Sequence, residues 1–212
     1  MTIERETLSI QSVTESARGG LKLVLSDGRK LTLSVKSWNQ LELSQGKDIG
    51  PAELLQLESE SLYTEVRQKA LALLAQREHS HEELKRKLRT RFPDRAAHIE
   101  RCLEEMHSLQ YQSDERFARL FIESRLNNRR KGPYLILADL QQRGISREIA
   151  QPLLEEQTDC EFWLNRIRDN LEDLCKTGKK NNRSALGQKL FQRGFSHDLI
   201  KIVLSEKGIG EY

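Results

Sequence analysis

A chain of 212 residues with 37% apolar side chains, 32% charged ones and a net charge of +3 can hold one or two domains with a real core, of the kind that small helical modules with wide solvated faces provide. No stretch approaches the ~20 apolar residues needed to cross a bilayer, and the beginning of the chain, Met1-Thr-Ile-Glu-Arg-Glu6, lacks the apolar core of a signal peptide. Three widely spaced cysteines, Cys102, Cys160 and Cys175, with no C-x-x-C pair, speak against a disulfide framework and a tetrahedral zinc site, so a reducing cytoplasm is the expected compartment.

Residues 1–60 read as a small antiparallel sheet with a short helix. Leu21-Lys-Leu23-Val-Leu25 and Leu31-Thr-Leu33-Ser-Val35 alternate apolar with polar around Ser26-Asp-Gly28-Arg, a hairpin in which Asp-Gly supplies the positive-φ turn. An earlier strand is expected over Thr7 to Val13. Gly46 to Gly50 is punctuation, and Pro51 suits the first position of a short helix running to about Leu57.

From about Leu62 the apolar spacing becomes helical, and three units follow, 61–111, 112–157 and 158–212. In the first, Val66, Ala70, Leu73 and Leu74 form one stripe, Ser80 with Glu83 makes a capping box for a second helix, and Asp94 can cap a third bearing Ile99, Leu103 and Met106. In the second, Ser113 caps a helix with Phe117, Leu120 and Phe121, Gly132-Pro133 opens the next, Gly144 ends it, and Ser146 caps a third. In the third, Cys160, Trp163, Leu164, Ile167, Leu171 and Leu174 make the cleanest 3.6-residue stripe, Gly194 ends the following helix, and Phe195 before the cap Ser196 can staple onto Ile200.

A recurring phrase ties the units together: Leu84 to Leu88 then Arg91-Phe92, Ile136 to Leu140 then Arg143-Gly-Ile-Ser146, and Leu186 to Leu190 then Arg193-Gly-Phe-Ser196. The copies lie 52 and 50 residues apart, so the fold class is mainly α, a tandem array of three three-helix, helix-turn-helix-like repeats with an N-terminal β-hairpin extension. Such an array offers a long surface better suited to gripping something extended than to enclosing a small substrate. Because Arg91, Arg143 and Arg193 stand in the last turns of helices, interaction with the helix dipole accounts for them.

No phosphate-cradling loop, G-x-S-x-G elbow or metal-spaced histidine pair is present, so neither catalysis nor a cofactor or metal is expected, and Cys160 and Cys175 read as buried thiols on an apolar stripe. The candidate binding residues are basic. Lys85, Arg86, Lys87 and Arg89, with Arg91, crowd one helix and repel one another unless an anion or acidic partner neutralises them. Arg129, Arg130 and Lys131 precede Gly132-Pro133, where outward backbone N–H groups can hold a phosphate or carboxylate, and Lys179, Lys180 and Arg183 hold the matching place in the third unit. Solvated helix faces and a solubilising loop are the competing accounts of these runs.

With Ala70 to Leu88, Asp114-Glu-Arg-Phe117-Ala118, Gly132-Pro133 to Ile145 and Gln192-Arg-Gly194-Phe195-Ser196 in hand, the chain resembles the bacterial RecX family, regulators of the RecA recombinase, over about Leu62 to Glu206. The resemblance implies an elongated, non-enzymatic protein that lies in the groove of the RecA–DNA filament and lowers ATPase, strand-exchange and co-protease activity; a monomer with weak direct binding to single- or double-stranded DNA is a further expectation. One departure is Arg91-Phe92-Pro93, where the other units have Arg-Gly. A direct DNA-binding protein built on helix-turn-helix-like repeats and a purely protein-binding helical scaffold are the alternatives.

Overall fold

The structure is a computed structural model that describes residues 7–16, 19–177 and 182–208. It forms two compact units, Met1–Arg77 with Leu84–Gln112, and Glu78–Glu83 with Ser113–Tyr212.

The first unit begins with strands β1 (Leu8–Glu15), β2 (Leu21–Leu25) and β3 (Lys30–Leu33), then helix α1 (Val35–Gln40) and a two-residue strand β4 (Asp48–Ile49). The sheet is antiparallel with order β3-β2-β1-β4. Gly28 has φ +86°, and Leu25 N donates to Arg29 O at 2.9 Å, which closes the expected hairpin. The early strand runs one residue later at its start and two further at its end than the alternation indicated, with a register shift between Ile10 and Ser12. Inward Leu23, Leu25, Leu33 and Ile49 form the sheet's core.

Helix α2 (Pro51–Leu74) corrects the short helix expected to end near Leu57. Residues 57–62 contain neither Gly nor Pro and mix Leu and Glu with Ser, so nothing stops the helix, and residues 60 and 61 are consecutive within it. Its first half buries Leu57 against the sheet, where Thr32 N also donates to Ser61 Oγ at 2.9 Å. Its second half buries Tyr63, Val66, Ala70 and Leu73 against α3 (His81–Arg91) and α4 (Ala96–Ser108), with Leu84, Leu88, Ile99, Cys102, Leu103 and Met106. Asp94 does not cap α4; Arg95 takes the N-cap position without a side-chain cap bond. The turn is shaped by Arg95, whose guanidinium lies 4.8 Å from the Phe92 ring and bonds Glu65 at 2.5 Å.

The second unit holds α5 (Asp114–Leu126), α6 (Pro133–Gln141), α7 (Arg147–Gln157), α8 (Cys160–Thr177), α9 (Arg183–Gln192) and α10 (His197–Glu206). These two three-helix repeats share one core, from Phe117 and Ile122 through Ile136, Leu140, Trp163 and Ile167 to Leu190, Phe195 and Leu204. Ser113 and Ser196 cap their helices as expected, accepting from Arg116 N and Leu199 N, whereas Ser146 sits at the N-cap with no such bond. Leu120 is exposed and Ile122 takes its place inside.

A single joint occurs twice in this unit. Gly144 and Gly194 adopt φ +82° and +86°, and Ile145 N and Phe195 N reach back to Leu140 O and Leu190 O, the closing bonds of Schellman-type helix ends. The carbonyls of these turns face outward and are taken by the start of the corresponding middle helix one repeat earlier. Ser80 Oγ donates to Arg143 O at 2.5 Å while accepting from Glu83 N at 3.1 Å. Gly132 N donates to Arg193 O at 2.7 Å and Tyr134 N to Gly194 O at 3.1 Å. A Cβ on Gly144 would overlap the Glu82 side chain, one on Gly194 would fall 2.7 Å from Leu135 N, and one on Gly132 would overlap the backbone of Gly194. What precedes the first repeat is the sheet rather than another helical repeat, so the turn at Arg91-Phe92-Pro93 has no preceding middle helix to dock on and no such need of glycine.

Gly132 has φ −85°, where any residue is comfortable, so Gly132→Ala tests the close approach alone. The expected cost is about 1–3 kcal/mol, read as a lower urea midpoint. An unchanged midpoint would mean that the joint opens without loss.

Candidate polyanion-binding surface

The helix α3 places Leu84 and Leu88 fully inside, which leaves Arg86, Lys87, Arg89 and Arg91 exposed and Lys85 half-buried. The repulsion expected among these cations is partly met within the same unit. Glu100 on α4 lies 2.9 Å from Lys85 Nζ and 3.1 Å from Arg89 Nη2, and the Lys85 hydrogen bond holds its carboxyl below the usual range. Arg86 makes no ion pair among the described residues, and Arg91 lies 5.8 Å from the Phe92 ring.

The second basic group falls on the loop between α5 and α6. Arg129 and Arg130 are exposed and no carboxylate pairs with either among the described residues, whereas Lys131 is drawn into an ion pair with Asp139 at 2.5 Å. The N–H groups of Gly132 and Tyr134, expected to point outward and bind an anion, are instead spent on Arg193 O and Gly194 O; the joint between repeats has taken them. Lys179 and Lys180 lie outside the described residues. Arg183 opens α9 and donates to Ser205 Oγ at 3.1 Å.

The repeated arginines do not act through the helix dipole alone. Arg143 Nε lies 3.7 Å from the buried Glu83 carboxylate and its guanidinium is 4.9 Å from the Phe121 ring. Arg193 Nη1 donates to Asn170 Oδ1 at 2.5 Å, and this brings it beside Arg130. Arg166 of α8, which no local pattern singles out, stands beside Arg129. Its only sequence signal is its place three residues after Trp163, whose ring it faces at 5.7 Å.

Elsewhere the polar clusters are internally balanced. A cleft of about 350 Å³ in the first unit is lined by Lys36, Tyr63, Arg67, Arg101 and Glu105. There Arg67 Nε bonds Glu105 at 3.0 Å, Tyr63 Oη donates to the same carboxylate, and Arg101 pairs with Glu60 at 2.5 Å. Burial raises the Tyr63 phenol and pushes the Cys102 thiol up to about 12, which leaves neither a nucleophile at neutral pH. Cys160 and Cys175, expected inside, are exposed: Cys160 is the first residue of α8, and Cys175 is turned about 100° from the buried Leu174. Among the described residues no group of three or more His, Cys, Asp or Glu could hold a metal ion, and no helix is long and apolar enough to cross a membrane.

Residues 113–154, the greater part of the second repeat, match the family model described as RecX, second three-helix domain. The chain is similar to the regulatory protein RecX of Prosthecochloris aestuarii, 34% identical over 139 residues that cover 65% of this chain and 90% of that protein. It is also similar to that of Clostridioides difficile, 28% identical over 167 residues covering 77% and 78%, and to that of Listeria monocytogenes, 28% identical over 172 residues covering 78% and 62%. The chain thus spans less than two thirds of the length of the Listeria relatives. A crystal structure of regulatory protein RecX superposes with a TM-score of 0.78 at 17% identity, covering 93% of this chain and 99% of the other. RecX from Lactobacillus salivarius gives 0.61 at 21%, covering 70% and 97%, and at such identities both speak to the fold.

Glu100→Gln is expected to release Lys85 and Arg89, leave stability within about 1 kcal/mol, and raise the salt concentration at which the protein elutes from an anionic heparin column. Unchanged elution would mean that Glu100 does not mask the α3 face.

Proposed function

Because the chain belongs to the RecX family, we propose that it is a non-enzymatic regulator that binds the RecA recombinase and the RecA–DNA filament and inhibits its ATPase, strand-exchange and co-protease activities in the cytoplasm. The observation that supports this reading is the exposure of basic side chains on helical repeats, at Arg86, Lys87 and Arg89 on α3 in the first unit and at Arg129 and Arg130 before α6 in the second. Lys85, Arg86, Lys87 and Arg89 on α3, Arg129, Arg130 and Lys131 before α6, and Lys179, Lys180 and Arg183 before or at the start of α9 are the proposed contacts with acidic RecA surface or with bound DNA. Oppositely charged surfaces would speed the encounter more than they deepen the affinity, so binding should weaken as salt rises.

A direct DNA reader built on helix-turn-helix units draws less support. The turns at Arg143-Gly144 and Arg193-Gly194 are occupied by the joint, so they serve the packing of repeats.

The decisive measurement is RecA's ATP hydrolysis on single-stranded DNA at fixed salt, with this protein titrated well below the RecA concentration. Strong inhibition is expected, and reversal of charge at Lys85, Arg86 and Lys87 together should weaken it without unfolding α3. No inhibition and no filament binding by the unaltered chain would overturn the reading.

A further inference from the structure

The loop between α5 and α6 is held more firmly than an exposed, charged loop requires. Arg166 Nη2 donates to Leu126 O at 2.7 Å and Nη1 to Asn128 O at 3.4 Å. Asn170 Nδ2 donates to Arg129 O at 2.6 Å, and Gly132 N is tied to Arg193 O. Asn170 is only 2% exposed, and its other end accepts from Arg193 Nη1. Side chains of α8 thus fix the loop's carbonyls, and the turn after α9 its last N–H, through a partly buried network centred on Asn170.

What this frame presents is an open concavity of about 680 Å³ lined by Ser124, Asn127, Asn128, Arg129, Arg130 and Asp173. We infer that it is a phosphodiester-binding cradle, in which Arg129 and Arg130 bond successive phosphates, Ser124, Asn127 and Asn128 add neutral hydrogen bonds, and Arg166 and Asn170 position the loop. The inference rests on the reading above in taking Arg129 and Arg130 as contact residues, and it names their ligand.

Three features favour this ligand. The donor set of arginine forks with serine and asparagine is the one that meets phosphate oxygens and sugars along a nucleic-acid backbone. Consecutive arginines set two charges side by side along the chain, which suits a ligand whose charge repeats along its length rather than one carboxylate. The local field is also short of anions. At Arg29, Arg101, Arg116, Arg119 and Arg168 a hydrogen-bonded carboxylate raises the guanidinium pKa. At Arg166 and Arg193 it is lowered, by burial first and then by Arg129 and Arg130 respectively, with Asp169 and Asp173 opposing the shift. Four cations face two carboxylates, and a polyanion would relieve the imbalance.

The test uses the full chain and labelled oligothymidylate, with a mixed-sequence duplex as a second arm, titrated by fluorescence anisotropy across a salt series without RecA. Arg129→Ser with Arg130→Ser should weaken binding at least tenfold at low salt and reduce the salt slope by about 1.4 on the single strand and about 1.8 on the duplex. Arg166→Lys keeps the charge but loses the fork; it should reduce the slope by part of that amount, which a residue that merely stabilises the fold would leave alone. Thermal melts report folding, and Arg130→Ser alone replaces the double variant if that one melts without cooperativity.

Failure of the unaltered chain to bind either oligonucleotide, or an unchanged slope in the variants, would overturn the cradle. If the variants lose RecA filament binding while naked-DNA binding stands, the loop meets an acidic protein surface and the cradle is again overturned, with the regulatory reading intact. If DNA binding falls in the variants but the unaltered chain leaves RecA untouched, the cradle stands and the regulatory reading fails.

Discussion

The second unit depends on one contact, the reception of a helix-ending Arg-Gly turn by the start of the middle helix in the preceding repeat. Ending a helix in left-handed geometry turns its last carbonyls away from the helix, where they need donors. The start of another helix carries N–H groups with the opposite need, and Gly132 N and Tyr134 N meet Arg193 O and Gly194 O there. The match satisfies both sets at once without water, but only if the backbones come together more closely than a Cβ permits. Glycine at 132, 144 and 194 is the steric condition for that approach.

The same contact decides where charge can gather. Several arginines here lie across from a carboxylate of a neighbouring element, as Arg116 does with Glu78 in the turn before α3 and Arg119 with Glu156 on α7. These pairs lie near the surface, where each contributes little to stability, so their main effect is to cancel the field of a chain in which a third of the residues are charged. Cancellation fails where the joint forces cations together. Docking the Arg193-Gly194 turn against Gly132 carries Arg193 to the loop that already holds Arg129 and Arg130, and α8 adds Arg166.

Much of the fold was legible because it is written in local pattern. Asp27-Gly28 encodes the hairpin, the stripe from Val66 to Leu74 encodes the helical period, and Ser113 and Ser196 encode caps through one hydroxyl each. What escaped depends on partners distant in sequence. The strand β4 has two residues and is defined only by its pairing with Leu8 and Ser9. The continuity of α2 is set by Leu57 meeting the sheet while Val66 meets the repeat, a division of labour that no single period reveals. The exposure of Cys160 and Cys175 turns on which edge of the α8 stripe the neighbouring helices cover. For the candidate surface, the basic residues could be named from sequence, yet their separation into neutralised Lys85, Arg89 and Lys131 and uncompensated Arg129 and Arg130 requires knowing where Glu100 and Asp139 fall.

Asn170 ties the packing of this unit to the placement of its exposed cations. One side-chain amide, on a residue only 2% exposed, donates to Arg129 O and to Arg166 O and accepts from Arg193, so it connects the loop, α8 and the repeat joint. A buried amide with all these bonds made is tolerable, whereas one stripped of them is costly, so each partner holds the others in place. Rigidity of this kind would serve the proposed contact with a charged ligand, since flexible arginines would lose more entropy with each encounter. The joint that packs the repeats thereby also fixes the geometry of the exposed cations beside it, and a change made for either purpose is felt by both.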